Sequence, residues 1–242
     1  MGRRRRGRER WGLYISWLDD QLATAGVDVR LGTEPSVDDV LALDPDAVVL
    51  ATGSVLREPR WADGQPYVDA DAVAAQPPAP PSPGAVAVIV DDEGGFIAPT
   101  AAEALVGAGW KVRIATPLPA VAARVDPTQV FFVRRRLKLA GVDLLSQVFL
   151  RHDEEGWAFV DAESDERRRA GPVDLLVVAG TRRSRDEFSA ELAQRRPQLL
   201  VTRVGDALAP RSLLDSVAEG ARAGLTLREH PIGLTPAVAS SN

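Results

Sequence analysis

Three short segments carry residue types and spacings that chemistry can use. Ala51-Thr52-Gly53-Ser54 closes the apolar run Asp46-Ala47-Val48-Val49-Leu50, and Gly205-Asp206-Ala207 closes a second, Leu199 to Val204. A glycine after a buried strand lets a ligand approach the backbone with no side chain in the way. In an open α/β sheet the strand ends face the ligand crevice. Asp206 can accept a hydrogen bond from a ligand hydroxyl, and a helix opening near Arg211 supplies backbone N–H groups to an anion or carbonyl. Each turn also has a plainer reading, since Thr-Gly is common in α/β turns and Asp206 can serve as a helix cap.

The third segment is Asp91-Asp92-Glu93-Gly94-Gly95, set between a strand and a helix. Three carboxylates stand where a pyrophosphate would meet the helix N-terminus, and like charge opposes that approach. Gly94 and Gly95 stay permissive, and Ala98 is small enough for close helix–strand packing. The alternative is a solvated acidic turn. A Mg²⁺ takes one or two carboxylates plus phosphates, so a metal here would need the nucleotide present.

The rest of the inventory narrows the chemistry. The chain has no cysteine and two histidines, His152 and His230. Disulfides, thiolate zinc sites and all-cysteine iron–sulfur clusters are excluded within it. Neither histidine has metal spacing, and both read as solvated loop residues, which leaves a Ser–His–Asp hydrolase without a base. No side chain reads as a substrate acid, base or nucleophile.

These turns need strands and helices to hold them. Trp11, Tyr14, Ile15, Leu18, Leu22 and Ala25 recur at spacings of three and four, one face of a helix ended by Gly26. Trp11, Tyr14 and Trp17 read as core, with a flavin-stacking stripe as the alternative. Val27 to Leu31 alternates as a strand. Ser36 caps a helix to about Leu43, with Asp38 and Asp39 in its first turn. The continuous apolarity of 46–50 implies burial on both faces, as in a parallel sheet.

Gln76 to Gly84 contains five prolines and is a semi-rigid connection. A fresh unit follows: strand Ala85–Val90, acidic turn, helix Pro99–Ala108 closed by Gly109, and strand Lys111–Ala115. That is a right-handed βαβ unit, the core of a mononucleotide-binding half-fold. A helix near 128–140, strands near 142–150 and 157–161, and a polar excursion at 162–171 come next. Strand Val173–Ala179, a helix near 186–196, strand Leu199–Val204 and a helix near 211–224 complete the α/β pattern. Arg134-Arg135-Arg136 reads as a solvated helix face or a partner contact.

At 242 residues, with 45% hydrophobic and 26% charged side chains, the chain can bury one large or two small cores. Net charge is -5, so nothing global attracts nucleic acid or anionic lipid. The basic run Arg3 to Arg6 reads as a disordered or mis-started N-terminus rather than a nucleic-acid arm. It lacks the apolar stretch of a secretory signal, and no run spans a bilayer, so the expected compartment is the cytosol.

Ala-Thr-Gly-Ser at 51–54 and Val-Gly-Asp-Ala-Leu-Ala-Pro-Arg at 204–211 resemble the two C-terminal signatures of flavoproteins with two dinucleotide-binding domains. The resemblance is to the back portion of 2,4-dienoyl-CoA reductase-like and trimethylamine dehydrogenase-like NADH:flavin oxidoreductases. It implies a Rossmann-like α/β fold with a discontinuous FAD-type domain at 11–75 and 180–225. An NAD- or ADP-type domain is inserted at 84–179, a basic N-terminus occupies 1–10, and a loose tail 226–242. It implies FAD at Ala51, Thr52, Gly53, Gly205, Asp206 and Ala207, with Asp206 on a ribityl hydroxyl, and ADP or NAD(P) at Asp91, Gly94 and Gly95. The family's first βαβ unit, with its G-x-G-x-x-G turn, has no counterpart before Trp11, so the FAD-type domain reads as incomplete. Either another chain supplies the diphosphate cradle or FAD binding is lost, and an FMN barrel subunit is the implied partner. The altered turn at 90–99 is similar to the amine-dehydrogenase branch, where ADP is implied to be held structurally. The alternative is a non-catalytic adenine-nucleotide-binding or interaction subunit. A further one is a segment that folds only with a partner.

Overall fold

The computed structural model describes residues 9–62 and 64–229. The arginine-rich start, His230 and the tail beyond it lie outside the described residues. Helix α1 spans Glu9–Thr24 and ends where Gly26 adopts φ 69°, a left-handed conformation that glycine takes without a Cβ clash. From Leu13 on its apolar side chains are not core, and the side chain of Trp11 lies outside the described residues. Leu13, Tyr14, Ile15, Trp17, Leu18 and Leu22 are all exposed, and Tyr14 and Trp17 stack on each other at 5.9 Å.

The strand expected at 27–31 does not form. Val27, Val29 and Leu31 are exposed, and no strand among the described residues pairs with them. Alternation makes a strand only where a neighbour supplies the ladder of hydrogen bonds. Helix α2, Val37–Ala42, begins at Ser36 in a capping box: Ser36 Oγ accepts from the Asp39 N–H, and the Asp39 carboxylate accepts from the Ser36 N–H at 2.8 Å.

Along the chain follow β1 (Ala47–Leu50), β2 (Ser54–Leu56), a 3-10 turn at Arg60–Ala62, β3 (Val68–Asp69) and α3 (Ala70–Ala75). Beyond the prolines come β4 (Val86–Asp91), α4 (Ile97–Ala108), β5 (Lys111–Thr116), α5 (Pro127–Leu139) and β6 (Asp143–Ser146). Strands β7 (Val148–Asp153), β8 (Gly156–Asp161), β9 (Arg167–Arg169), β10 (Leu175–Ala179) and β11 (Arg182–Ser184) lead to α6 (Glu187–Arg195), β12 (Leu200–Arg203) and α7 (Leu213–Glu229).

The main sheet is parallel, in the order β3-β10-β4-β5-β6. β4 is buried at every position, and its alternate residues feed two cores. Ala87 and Ile89 pack with Ala98, Ala101, Leu105 and Leu137 under α3, α4 and α5. Val86, Val88 and Val90 pack with Leu150 and Phe159 under the antiparallel sheet β7-β8-β9. Both faces are covered, which is why this strand reads as a continuous apolar run. The proline segment is pinned from the far side of α4, where Trp110 Nε1 donates to the Pro78 carbonyl at 2.8 Å.

The second parallel pair is smaller. β1 runs beside β12, with Ala47 opposite Leu200 and Leu50 opposite Arg203. Val37, Leu50, Leu192 and Leu199 form its core with α2 and α6. Burial on both faces was expected of β1, yet Val49 is 40% exposed. That face is only partly covered, and among the described residues the pair has no third strand.

Candidate functional site

The ends of β1 and β12 bring the first two turns together. The Val204 N–H donates to the Leu50 carbonyl at 3.0 Å, so the chain leaves both strands side by side. Gly53 has φ 75°, and a Cβ built there would meet nothing within 4 Å: the backbone faces open space. Thr52 Oγ1 donates to the Arg185 carbonyl at 3.0 Å, and the Arg185 N–H returns a bond to the Gly53 carbonyl at 3.1 Å. Ala51 is exposed beside them.

Across from this turn, Gly205–Ala207 forms a single 3-10 turn. Gly205 takes φ 60° and donates its N–H to Glu219 of α7 at 2.8 Å. A Cβ there would lie 3.0 Å from Ser216 Oγ. Ser54 Oγ donates to Asp206 Oδ2 at 2.8 Å, joining residues 152 apart in sequence, and the Arg211 N–H reaches Asp206 Oδ1 at 3.3 Å. Ala207 is buried. The helix expected to open directly on this turn begins later, at Leu213, with its first turn capped by a Ser212–Asp215 box. The amides nearest the site therefore belong to the 3-10 turn rather than to the N-terminus of α7.

Three residues of this cluster, Arg182, Asp69 and Asp71, lie outside the motifs read from the sequence. Arg182 on β11 donates from Nε to Ser54 Oγ at 3.0 Å and from Nη2 to the Ser54 carbonyl at 3.2 Å. Its Nη1 pairs with Asp71 at 2.8 Å and Asp69 at 3.3 Å. Burial raises the carboxyl of Asp71 above its ordinary value, with Asp69 and Asp206 adding and Arg182 opposing. The one available signal was an arginine two residues past the buried strand 173–179 and its glycine.

The acidic turn is not a solvated loop. Asp91 is fully buried, and its Oδ1 accepts from the N–H groups of Gly94 at 2.8 Å and Glu93 at 3.2 Å. Its Oδ2 has no hydrogen-bond partner. Burial pushes the carboxyl up to about 6, against the two backbone bonds, and the neighbouring Glu93 and Asp92 add to the rise. Asp92 accepts from Trp61 Nε1 at 3.3 Å. Burial raises Asp92 and Glu93 as well. Gly94 has φ 72°, and a Cβ there would lie 2.5 Å from Leu118 Cδ1. Gly95 faces the Glu93 carboxyl at 3.7 Å.

Helix α4 then starts at Ile97 with no side-chain cap. At the end of β5, where a dinucleotide fold often carries an acidic ribose ligand, Thr116 instead donates its hydroxyl to the Asp91 carbonyl at 2.6 Å. His152 lies on β7, edge-on to Trp157 at 4.8 Å, so it is a strand residue rather than the loop residue expected. Among the described residues, no group of three or more His, Cys, Asp or Glu side chains could hold a metal ion. No helix among them is long and apolar enough to cross a membrane.

No family model matches the chain. The NADH oxidase of Thermoanaerobacter brockii is 27% identical over 219 residues, which are 86% of this chain and 32% of that protein. The histamine dehydrogenase from Rhizobium sp. 4-9 superposes with a TM-score of 0.80 at 23% identity, over 95% of this chain and 38% of that one. The fold is the Rossmann-like α/β fold that these solved structures share. A 2-naphthoyl-CoA reductase agrees, with a TM-score of 0.76 at 19% identity over 88% of this chain and 32% of its own. The resemblance carried by residues 51–54 and 204–211, and the Rossmann-like α/β class, are borne out. The chain spans about a third of the length of these proteins.

Proposed function

We propose that the chain is the nucleotide-binding module of an NADH:flavin oxidoreductase of the 2,4-dienoyl-CoA reductase or amine dehydrogenase type, working as part of, or beside, an FMN barrel. The carrying observation is the Ser54–Asp206 hydrogen bond next to the open backbone of Gly53. It assembles a polar acceptor and an approachable main chain at the paired ends of two parallel strands, the crevice where such sheets bind ligands.

These residues fit the flavin end of FAD. Gly53 leaves room for backbone contact, Ala51 and Thr52 flank it, and Asp206 retains acceptor capacity for a ribityl hydroxyl. Gly205 lets Ala207 and Asp206 turn toward Ser54. Bound there, the flavin supplies the electron transfer; the side chains of this chain hold and orient it. The FAD-type domain comprises 11–75 and 180–225, and the inserted domain 84–179.

The second turn fits an adenine nucleotide, ADP or NAD(P), less well. Asp91 already occupies the N–H groups of Glu93 and Gly94, so a diphosphate has the uncapped start of α4, beside Gly95, left to it. Of the second reading, a non-catalytic adenine-nucleotide-binding or interaction subunit, that observation favours the interaction role. A completing chain would lay a strand and a diphosphate cradle beside β1, where Val49 is exposed.

The visible spectrum of the purified protein, with analysis of the heat-released ligand, tests the proposal. FAD near one per chain supports it. A colourless protein releasing ADP moves the assignment to the structural subunit. Binding of FAD only when a strand-bearing partner chain is co-expressed assigns the completing role.

A further inference from the structure

We propose that Arg182 is a positioning residue for the flavin end of the site, acting on Asp206 through the hydroxyl of Ser54. The inference rests on the reading of 51–54 and 205–207 as an FAD site. It assigns a role to a side chain that no sequence signature marks.

The direction of the relay follows from hydrogen-bond chemistry. A guanidinium only donates, so the Arg182 Nε–H must point at Ser54 Oγ, 3.0 Å away. A serine hydroxyl has one proton, and with Arg182 on a lone pair that proton goes to Asp206 Oδ2 at 2.8 Å. The chain Arg182 to Ser54 to Asp206 is therefore polarised one way, with positive charge at its start and the carboxylate at its end. Bonds to ionised groups are the stronger kind, and linked bonds reinforce each other.

The geometry of Arg182 is over-determined, as a positioning group requires. Register on the β2–β11 ladder sets Arg182 opposite Leu56 and Ser184 opposite Ser54. Nη2 also holds the Ser54 carbonyl at 3.2 Å, and Nη1 is anchored by Asp71 at 2.8 Å and Asp69 at 3.3 Å. The side chain is 19% exposed. Asp69 and Asp71 open α3, which packs on the five-stranded sheet, whereas Ser54 and Asp206 follow the β1–β12 pair. One guanidinium thus ties the flavin-side turns to the unit that carries the second turn. It also offsets an acidic neighbourhood, since it favours the charged forms of both Asp71 and Glu93 while Asp206 opposes them.

A lysine cannot reproduce this. Its point charge can pair with Asp71 or reach Ser54, but it lacks the planar fork that does both.

The test uses Arg182→Gln, Arg182→Lys and Ser54→Ala in the full chain, titrated with FAD. Arg182→Gln should weaken FAD binding about tenfold, the scale of a lost charge-assisted relay. Ser54→Ala should cost a similar factor, and the double variant little more than either alone. Arg182→Lys should recover only part. Unchanged FAD affinity in Arg182→Gln, or losses that simply multiply in the double variant, would overturn the proposal. A flavin-independent measurement stands beside it: urea unfolding of the flavin-free chain with Arg182→Gln, Asp206→Asn and the pair. The pair should be less damaging than the product of the singles by about tenfold, and this coupling should vanish when Ser54 is alanine. Independent effects of the two substitutions would overturn the relay even if the wild-type protein takes no FAD, the outcome that would sink the FAD reading itself.

Discussion

Asp91→Asn separates the charge at the second turn from its shape. The native carboxyl is fully buried, has one oxygen without a partner, and titrates at about 6 rather than 3.8. An unfolded chain keeps the ordinary value. Below about pH 4 both states are protonated and Asp91 costs nothing. As pH rises from about 4 to 6 the unfolded carboxyl ionises while the buried one holds its proton, so stability falls, and above about 6 the loss is complete. At 1.36 kcal/mol per tenfold, that displacement is worth on the order of 3 kcal/mol. Asn keeps an oxygen for the N–H groups of Gly94 and Glu93 and cannot ionise. Its amide N–H groups, at the position of the unpartnered Oδ2, carry a pH-independent cost of about 1–3 kcal/mol. The slope, not the level, therefore decides. Urea unfolding at about pH 4, 5.5 and 7.5 should show the wild type losing on the order of 3 kcal/mol more than Asp91→Asn over that range. A residual slope should persist in the variant, because burial raises Asp71, Asp92 and Glu93 in the same direction. Parallel slopes would refute the assignment of a buried, proton-holding Asp91.

The same substitution removes negative charge beside the uncapped start of α4, so ADP affinity at neutral pH should rise several-fold by calorimetry; no change would argue against a nucleotide there. Gly94→Ala combines a left-handed φ of 72° with a 2.5 Å approach to Leu118, and thermal melting should show a loss of about 2–5 kcal/mol. Gly53→Ala carries a similar φ, 75°, but meets open space, so it should cost only about 1–2 kcal/mol in the flavin-free chain while blocking FAD binding. Hydrogen exchange should find the amides of β1 and β12 far less protected than those of β4, β5 and β10, and a strand-bearing partner should raise the protection of β1 selectively.

Legibility from the sequence followed burial. Val86 to Val90 is apolar at every position because both faces of β4 are packed, and that signal survives without a structure. The turns 51–54 and 204–207 were legible because each follows a short strand-forming segment and carries a glycine, although neither strand is packed on both faces. Short elements escaped. β2, β3 and β11 are two or three residues long, too short for periodicity to register, and they are held by pairings with distant strands. Arg182 and Asp69 belong to those elements and Asp71 to the six-residue α3, so their meeting beside Ser54 is a product of tertiary register and no local pattern encodes it. Val27 to Leu31 failed in the opposite way. The pattern of a strand is present there, but the neighbour that would make it one is not among the described residues. Asp91 was legible as a carboxylate near a helix start but not as a buried one, since burial of a charge depends on how Leu118 and Thr116 close over the turn.

The two parallel units differ in how much they rely on anything outside themselves, and the site residues divide along that line. The five-stranded sheet covers both faces with its own chain, so Asp91 and Gly94 are held by a finished core. β1 and β12 make a two-stranded parallel pair with one face only partly covered, an arrangement that parallel strands rarely sustain alone. Gly53 and Asp206 hang from its ends, and their relative position is secured by side-chain links: Ser54 to Asp206, Arg182 to Ser54, Glu219 to Gly205. Where a sheet does not fix its own loop geometry, polar cross-links must. The crevice at these turns is thus built from the stable unit outward, with Arg182 linking the start of α3 on the five-stranded sheet to the turn at Ser54, and a flavin bound as proposed would inherit that order.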